Sequence, residues 1–219
     1  GEGVAAAVAR TSGVPLYKTS HQVGHILAAL YSCEKLALTE KPFLAFHLSG
    51  GTTEALLVKP HREEIIQATL IASSLDLKAG QAIDRTGVML GLRFPCGKEL
   101  DALSQKSDAV YRITPSMKGL DCSLSGVENK AVKMIKDGAA REDTAKFVLT
   151  YIAKAVDKMV SELLEEYGEL PLVFSGGVSS NSLLRETIQT KYGAYFASPA
   201  FSLDNAAGTA IYAAMKHKR

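Results

Sequence analysis

The stretch PFLAFHLSGGTTEALLV, residues 42–58, decides the fold class of this 219-residue chain. Two apolar, strand-like runs, 42–48 and 53–58, are joined by Ser49-Gly50-Gly51-Thr52, a composition typical of a hairpin turn. Residues 64–72 contain enough β-branched side chains to add a third strand. The chain is therefore predicted to build a sheet that includes antiparallel neighbours.

Helical patterns lie on both sides of this hairpin. Before it we predict a helix at 2–10, a short strand at 14–19 and a helix at 21–36 with Ser20 as its N-cap. After it the pattern predicts helices at 79–90, 98–104, 124–136 and 144–167, a strand at 172–174, a helix at 181–192, a strand at 195–197 and a last helix at 206–216. Because helices alternate with strands, the fold class is α/β with a mixed sheet.

Composition excludes several classes of protein. Hydrophobic residues make up 47% and charged residues 22% of the chain, and the net charge is only +2, which excludes disorder. No apolar stretch reaches the ~18 residues of a membrane span. The three cysteines show no CxxC pairing, which indicates a reducing compartment, and the cytoplasm is expected. Since the chain opens with Gly1 and not Met, we expect its natural start to lie upstream.

The first chemical motif is His21-Gln22-Val23-Gly24-His25. The i, i+4 spacing places both imidazoles on one helix face, where they can share a metal ion or simply pack together. Zinc proteases with an HExxH motif use a glutamate as general base, and Gln22 stands at that position. A protease of that class is therefore disfavoured.

Two Ser-Gly-Gly turns follow apolar strands, at 49–51 and 175–177. Glycines let backbone N–H groups approach a phosphate, and a strand-to-helix junction adds the positive end of a helix dipole. Both turns have simpler explanations: a tight turn needs glycines anyway, and Ser180 or Asn181 can act as an N-cap.

Two acidic residues are candidates of the same kind. Asp204 suits an N-cap of the last helix, but its carboxylate could also complete a His₂ metal site. Asp84, in Ala79-Gly80-Gln81-Ala82-Ile83-Asp84-Arg85, is either a solvated helix charge or a ribose ligand.

In this order, the motifs resemble those of the TsaD (Gcp) family, long called O-sialoglycoprotein endopeptidase. The family pattern NHxxGH, VSGGHTQ, AGEAFDK, YPGGP, FSFSGLK, GGVxxNxxLR and TDN corresponds here to SHQVGH (20–25), LSGGTTE (48–54), AGQAIDR (79–85), FPCG (94–97), CSLSG (122–126), GGVSSNSLLR (176–185) and LDN (203–205).

The resemblance implies an actin/Hsp70/sugar-kinase-like (ASKHA) two-lobed fold whose first lobe is incomplete. Residues 1–40 would be the remainder of the first lobe, 41–205 the second lobe, and 206–219 a terminal helix that returns to the first lobe.

The resemblance also implies an activity and a site. The family transfers a threonylcarbamoyl group from its adenylate to N6 of adenosine 37 in tRNA, so the expected partners are an adenine nucleotide, tRNA and proteins of the threonylcarbamoylation complex. The implied metal, Fe or Zn, would be bound by His21, His25 and Asp204. The implied positions for ATP or the threonylcarbamoyl-adenylate are Ser49, Gly50, Gly51, Thr52, Asp84, Gly97, Asp101 and Asn181.

The chain departs from the family pattern at several positions. Thr52, Glu54 and Gln81 replace His, Gln and Glu, and Cys96 replaces the first glycine of YPGG. The family's N-terminal segment has no counterpart before Gly1. The alternative function is therefore a catalytically impaired paralogue that acts as a binding partner in tRNA modification, and a glycoprotease ranks last because no base or nucleophile is positioned for it.

Overall fold

The computed structural model describes residues 2–201 and 206–218, and the strands in this part form a five-stranded sheet and a small two-stranded sheet. The strands are β1 (Phe43–Leu48), β2 (Thr53–His61), β3 (Ile65–Ser73), β4 (Ser116–Lys118), β5 (Asp121–Ser123), β6 (Leu172–Ser175) and β7 (Tyr195–Phe196). The helices are α1 (Glu2–Ser12), α2 (His21–Ser32), α3 (Ala79–Met89), α4 (Gly97–Ser104), α5 (Ser125–Lys136), α6 (Arg141–Tyr167), α7 (Ser182–Tyr192) and α8 (Ala207–Lys218).

The large sheet has the strand order β3-β2-β1-β6-β7. Strands β1 and β2 form the predicted hairpin, with Leu48 opposite Thr53, and β3 continues the antiparallel part. Strands β6 and β7 pair parallel to β1. The sheet is therefore mixed, as predicted, and the carboxyl ends of β1 and β6 lie side by side at one edge.

Each face of this sheet carries its own apolar core. One face packs against α2 and α8 through residues such as Phe43, Leu27 and Tyr212. The other face packs against α3 and α5–α7, where the rings of Phe46 and Phe174 stack with centroids 4.5 Å apart. The sheet therefore lies between two layers of helices, with one apolar core on each face.

Two predictions near the N-terminus were wrong. Residues 14–19 form no strand, because Pro15 lacks an N–H donor and Val14 and Leu16 stay exposed, with no apolar face to bury. Helix α2 ends at Ser32, not near residue 36, because Glu34 takes a left-handed backbone conformation (φ 57°). The following residues Leu36–Glu40 form a short 3₁₀ helix.

The hairpin of β4 and β5 had no counterpart in the sequence prediction. Each of its strands is only three residues long, too short for an alternating pattern to stand out. No helix in the described ranges is long and apolar enough to span a bilayer.

Candidate functional site

The amino end of α2 brings the two motif histidines together. Ser20 caps the helix, accepting a hydrogen bond from the Val23 N–H at 3.2 Å. One turn apart, the Nε2 atoms of His21 and His25 lie 3.0 Å from each other, and the rings meet edge to face. The spacing in the sequence therefore does place both imidazoles at one point.

The sheet supplies a second group of polar side chains opposite this helix end. Alternation along β1 turns Phe43, Ala45 and His47 toward the α2 face, and the first two are buried in its core. His47 comes last, where that face opens to solvent. Its Nδ1 lies 3.0 Å from the Ser175 hydroxyl on β6, and its ring centroid is 5.1 Å from that of His25.

A cavity of about 440 Å³ lies between the helix end and the sheet. Its walls include His21, His25, His47, Thr52, Glu54 and Ser175. This volume is in the range of small-ligand sites, which combine apolar walls with a few convergent polar groups.

The histidine pair fits a transition metal. Two nitrogens bound at about 2.05 Å to a tetrahedral zinc ion lie about 3.3 Å apart, and the observed separation of 3.0 Å is close to that. Imidazole nitrogens are suitable ligands for both zinc and iron. Asp204, the third predicted ligand, lies outside the described residues, and within residues 2–201 and 206–218 no group of three His, Cys, Asp or Glu side chains is arranged to hold a metal.

The hairpin turn at 49–52 is closed by its own serine. The Ser49 N–H donates to the Thr52 carbonyl at 2.8 Å, and the Thr52 N–H donates to the Ser49 hydroxyl at 3.1 Å. Gly50 and Gly51 are exposed, and in the described part of the chain their N–H groups donate to no carbonyl or side chain. These two amides are therefore the ones in the turn that can receive an anion.

The second Ser-Gly-Gly turn lies directly against the first. Gly176 has φ +90°, and a Cβ there would lie 2.2 Å from the Leu48 carbonyl oxygen. Only glycine allows this backbone approach. The two predicted turns therefore meet at the carboxyl edge of β1 and β6, the usual position of ligand sites in α/β sheets.

The Asp84 carboxylate is neither a purely solvated charge nor a wall of the cavity. Its Oδ1 accepts a hydrogen bond from the Cys96 N–H at 2.7 Å, which anchors the loop that leads into Gly97 and α4. Neither Asp84 nor Gly97 lines the 440 Å³ cavity.

Asp101 and Asn181 are joined directly, 80 residues apart in sequence. Asp101 Oδ1 accepts from the Asn181 amide at 3.0 Å and from the Ser182 hydroxyl at 2.7 Å, and its Oδ2 accepts from the Ser182 N–H at 3.1 Å. Asn181 also caps α7, accepting from the Leu184 N–H at 3.0 Å. The two side chains form a clasp between α4 and α7, outside the 440 Å³ cavity.

Two of the residues that depart from the family pattern, Gln81 and Cys96, make structural contacts outside the cavity wall. The Gln81 amide oxygen accepts from the Lys78 N–H at 3.2 Å at the start of α3. Cys96 is fully buried against Gly87, where a Cβ would lie 2.2 Å from the cysteine Cβ, and burial raises the pKa of its thiol. Thr52 and Glu54, in contrast, face the cavity.

His47 and Ser175 are site residues that the sequence analysis missed as such. The available signal was the position of His47, two residues beyond Ala45 on the apolar face of a strand and immediately before the glycine turn. A polar residue on the apolar face of a strand, next to a glycine turn, indicates that the buried part of that face ends there.

A family model described as TsaD, tRNA N6-adenosine threonylcarbamoyltransferase, matches residues 1–211. The protein of that name from Enterococcus faecalis is 30% identical over 198 residues, which is 86% of this chain and 55% of the relative. The chain thus spans about half the length of that relative.

Solved structures share the fold at low identity. HypF from T. kodakarensis has a TM-score of 0.74 at 13% identity, covering 99% of this chain and 39% of HypF. Component A of the (R)-2-hydroxyglutaryl-CoA dehydratase of Acidaminococcus fermentans has a TM-score of 0.57 at 17% identity, and the match covers 95% of this chain and 73% of component A. At such identities the likeness concerns the fold alone, and it confirms the expected ASKHA type.

Proposed function

Because the chain belongs to the TsaD family of tRNA N6-adenosine threonylcarbamoyltransferases, we propose that it binds a metal ion and an adenine nucleotide. We propose further that it serves the transfer of a threonylcarbamoyl group from its adenylate to N6 of adenosine 37 in tRNA, in the cytoplasm. The observation that carries this proposal is the His21–His25 pair, with Nε2 atoms 3.0 Å apart in the wall of a cavity of about 440 Å³.

His21 and His25 would hold the metal, and Asp204 is proposed as its third ligand. A zinc or iron ion held there would supply Lewis-acid chemistry toward an oxygen of the bound adenylate. The protein itself fixes both imidazoles on a single capped helix turn, so that the distance between the two histidine nitrogens is set before a metal ion binds.

The phosphate would be received at the turns. Gly50 and Gly51 present exposed amides at the carboxyl edge of β1, and Thr52 adds a hydroxyl at the cavity wall. Donors held in place by the backbone stabilise negative charge on a departing AMP without reorganising. Asp84 and Gly97, and the Asp101–Asn181 clasp, are proposed to lie along the nucleoside beyond the cavity.

The alternative, a catalytically impaired paralogue that acts as a binding partner in the tRNA-modification complex, is supported by Thr52, which faces the cavity. Gln81 and Cys96 have structural contacts of their own and need not signal a lost activity. The complete protein should be tested for restoring the modified adenosine in a strain that lacks its own transferase. Restoration favours the enzyme, and a folded protein that binds nucleotide without restoring the modification favours the paralogue.

The metal is tested on the purified protein by elemental analysis. We expect about one Fe or Zn per chain, lost in His21→Ala. His217→Ala is the matched control, because His217 is an exposed histidine on α8 outside the cavity wall. A parent protein that takes up neither metal contradicts the proposal, as does a His21→Ala variant with full metal content.

A further inference from the structure

We propose that Glu54 is a specificity-determining residue of the cavity, which favours nucleotides with little negative charge at the phosphate, the acyl-adenylate and AMP, over ATP. The inference rests on the proposed nucleotide binding and deepens it, because it distinguishes the two nucleotides that the family resemblance leaves open. The family pattern has a neutral glutamine at position 54, so the carboxylate is a feature of this chain.

The sheet holds Glu54 at the cavity wall. Its backbone belongs to β2, where it lies opposite His47 on β1 and opposite Ser73 on β3. Because β2 is paired on both sides, the backbone at Glu54 is fixed within three antiparallel strands. The side chain is half-buried and lines the cavity of about 440 Å³. The carboxylate therefore faces a ligand that enters the cavity.

The charge of Glu54 is not offset by the rest of the described wall. Among the described residues that line the cavity, Glu54 is the only aspartate, glutamate, lysine or arginine. Its carboxylate forms no hydrogen bond or ion pair within residues 2–201 and 206–218. The histidines of the wall carry a positive charge only when they are protonated. An anionic ligand in the cavity is therefore exposed to the negative charge of Glu54.

The carboxylate is close enough to act on the phosphate. Glu54 follows Gly51, one of the two amides proposed to receive the phosphate, by three residues. An extended chain rises about 3.4 Å per residue, so the two backbone positions are at most about 10 Å apart. The Debye length at physiological salt is about 8 Å, and partial burial reduces the screening further. By Coulomb's law, two unit charges about 7 Å apart in water change a binding constant about threefold.

This repulsion increases with the charge of the ligand, so it separates nucleotides from one another. Adenosine is uncharged, the phosphate of AMP carries about two negative charges at pH 7, and each further phosphoryl group of ATP adds roughly one more. The phosphate of the adenylate is bonded to the acyl group through one oxygen and carries about one negative charge. Glu54 therefore disfavours ATP most, AMP and the adenylate less, and adenosine not at all.

The test measures the affinities of adenosine, AMP and ATP by titration calorimetry, in buffer without added magnesium because Mg²⁺ binds phosphate oxygens. Glu54→Gln removes the charge and keeps the shape of the side chain. We expect the AMP affinity to rise about threefold or more and the ATP affinity to rise by a larger factor, with the adenosine affinity unchanged. Glu54→Asp keeps the charge and should keep the parent's ratio of AMP to ATP affinity. Glu63→Gln is the matched control, because Glu63 is an exposed glutamate beyond the far end of β2.

The outcomes separate this inference from the function on which it rests. Elemental analysis of each preparation ensures that affinities are compared at equal metal content. A parent protein that binds none of the three ligands contradicts the proposed function. A parent that binds AMP and ATP with affinities unchanged in Glu54→Gln, or that binds ATP more tightly than AMP, overturns the role of Glu54 alone. An equal gain for adenosine, the same gain in Glu63→Gln, or loss of bound metal in Glu54→Gln also overturns it.

Discussion

Gly208→Ala is expected to push helix α8 away from helix α2, the helix that carries His21 and His25. A Cβ on Gly208 would lie 1.8 Å from the Gly24 carbonyl oxygen and 2.6 Å from its carbonyl carbon. Restoring an ordinary contact of about 3.4 Å requires the two backbones to separate by about 1.6 Å. The obstacle is backbone, which cannot rotate aside as a side chain would.

The cost follows from two opposing contributions. Overpacking of this kind costs about 1–3 kcal/mol, and the rigid carbonyl places this site at about 3 kcal/mol. The helix propensity of alanine over glycine returns about 1 kcal/mol. The net loss of about 2 kcal/mol corresponds to a Tm lower by about 4–8 °C for a chain of this size.

Gly24→Ala is the matched control, because its Cβ would meet only the Thr209 hydroxyl at 3.6 Å. That distance is an ordinary contact, so we expect no loss and a gain of up to about 1 kcal/mol. Thermal melts followed by circular dichroism compare the two variants. A Gly208→Ala protein that melts at or above the parent would refute the close crossing of α2 and α8.

Two further predictions concern carboxylates outside the cavity. Asp76 accepts hydrogen bonds from the Leu77 and Leu124 N–H groups at 2.6 and 2.7 Å and from the Ser123 hydroxyl. Burial by itself raises the pKa of Asp76, but these hydrogen bonds hold the pKa well below its usual range. Asp76→Asn should lower the free energy of unfolding at pH 7 by about 1–2 kcal/mol, discounted for exposure. Because a carboxyl group with a lowered folded-state pKa stabilises the fold fully only above its unfolded pKa of about 3.9, the difference in urea midpoint between variant and parent should shrink as pH falls from about 5 to 3. A difference that grew over this range would contradict the assignment. Asp101→Ala should lower the free energy of unfolding by about 2 kcal/mol through loss of the α4–α7 clasp, as measured by urea denaturation. The exposed Asp108, changed to Ala, is the control, and equal losses in the two variants would argue against the clasp.

Local signals were sufficient for much of this molecule. The hairpin at 42–58, the Ser20 cap and the one-turn spacing of His21 and His25 each depend on residues within a few positions of one another. Chain geometry at that range is set by steric periodicity and capping, so the sequence predicts it directly. The same applies to the long helix α6 and to the strand before Gly176.

The predicted end of a helix was wrong where the backbone conformation of a single residue decided it. The end of α2 depends on Glu34 in a left-handed conformation, which no residue preference signals. Residues 14–19 have strand-like composition but no strand beside them in the described structure, and a strand is stable only when it is paired.

The sequence by itself determined the fold class, most of the helices and strands, and the family, since these follow from periodicity and from motifs in a fixed order. Only the tertiary structure decided that His47 and Ser175 join the histidine pair at one cavity, and that Asp101 binds Asn181 and Ser182 in a clasp outside it. The hydrogen bonds among these residues join positions 80 to 128 apart in the sequence. Periodicity tells which face of an element is apolar, but which faces meet is set by the packing of the whole sheet between its two helical layers.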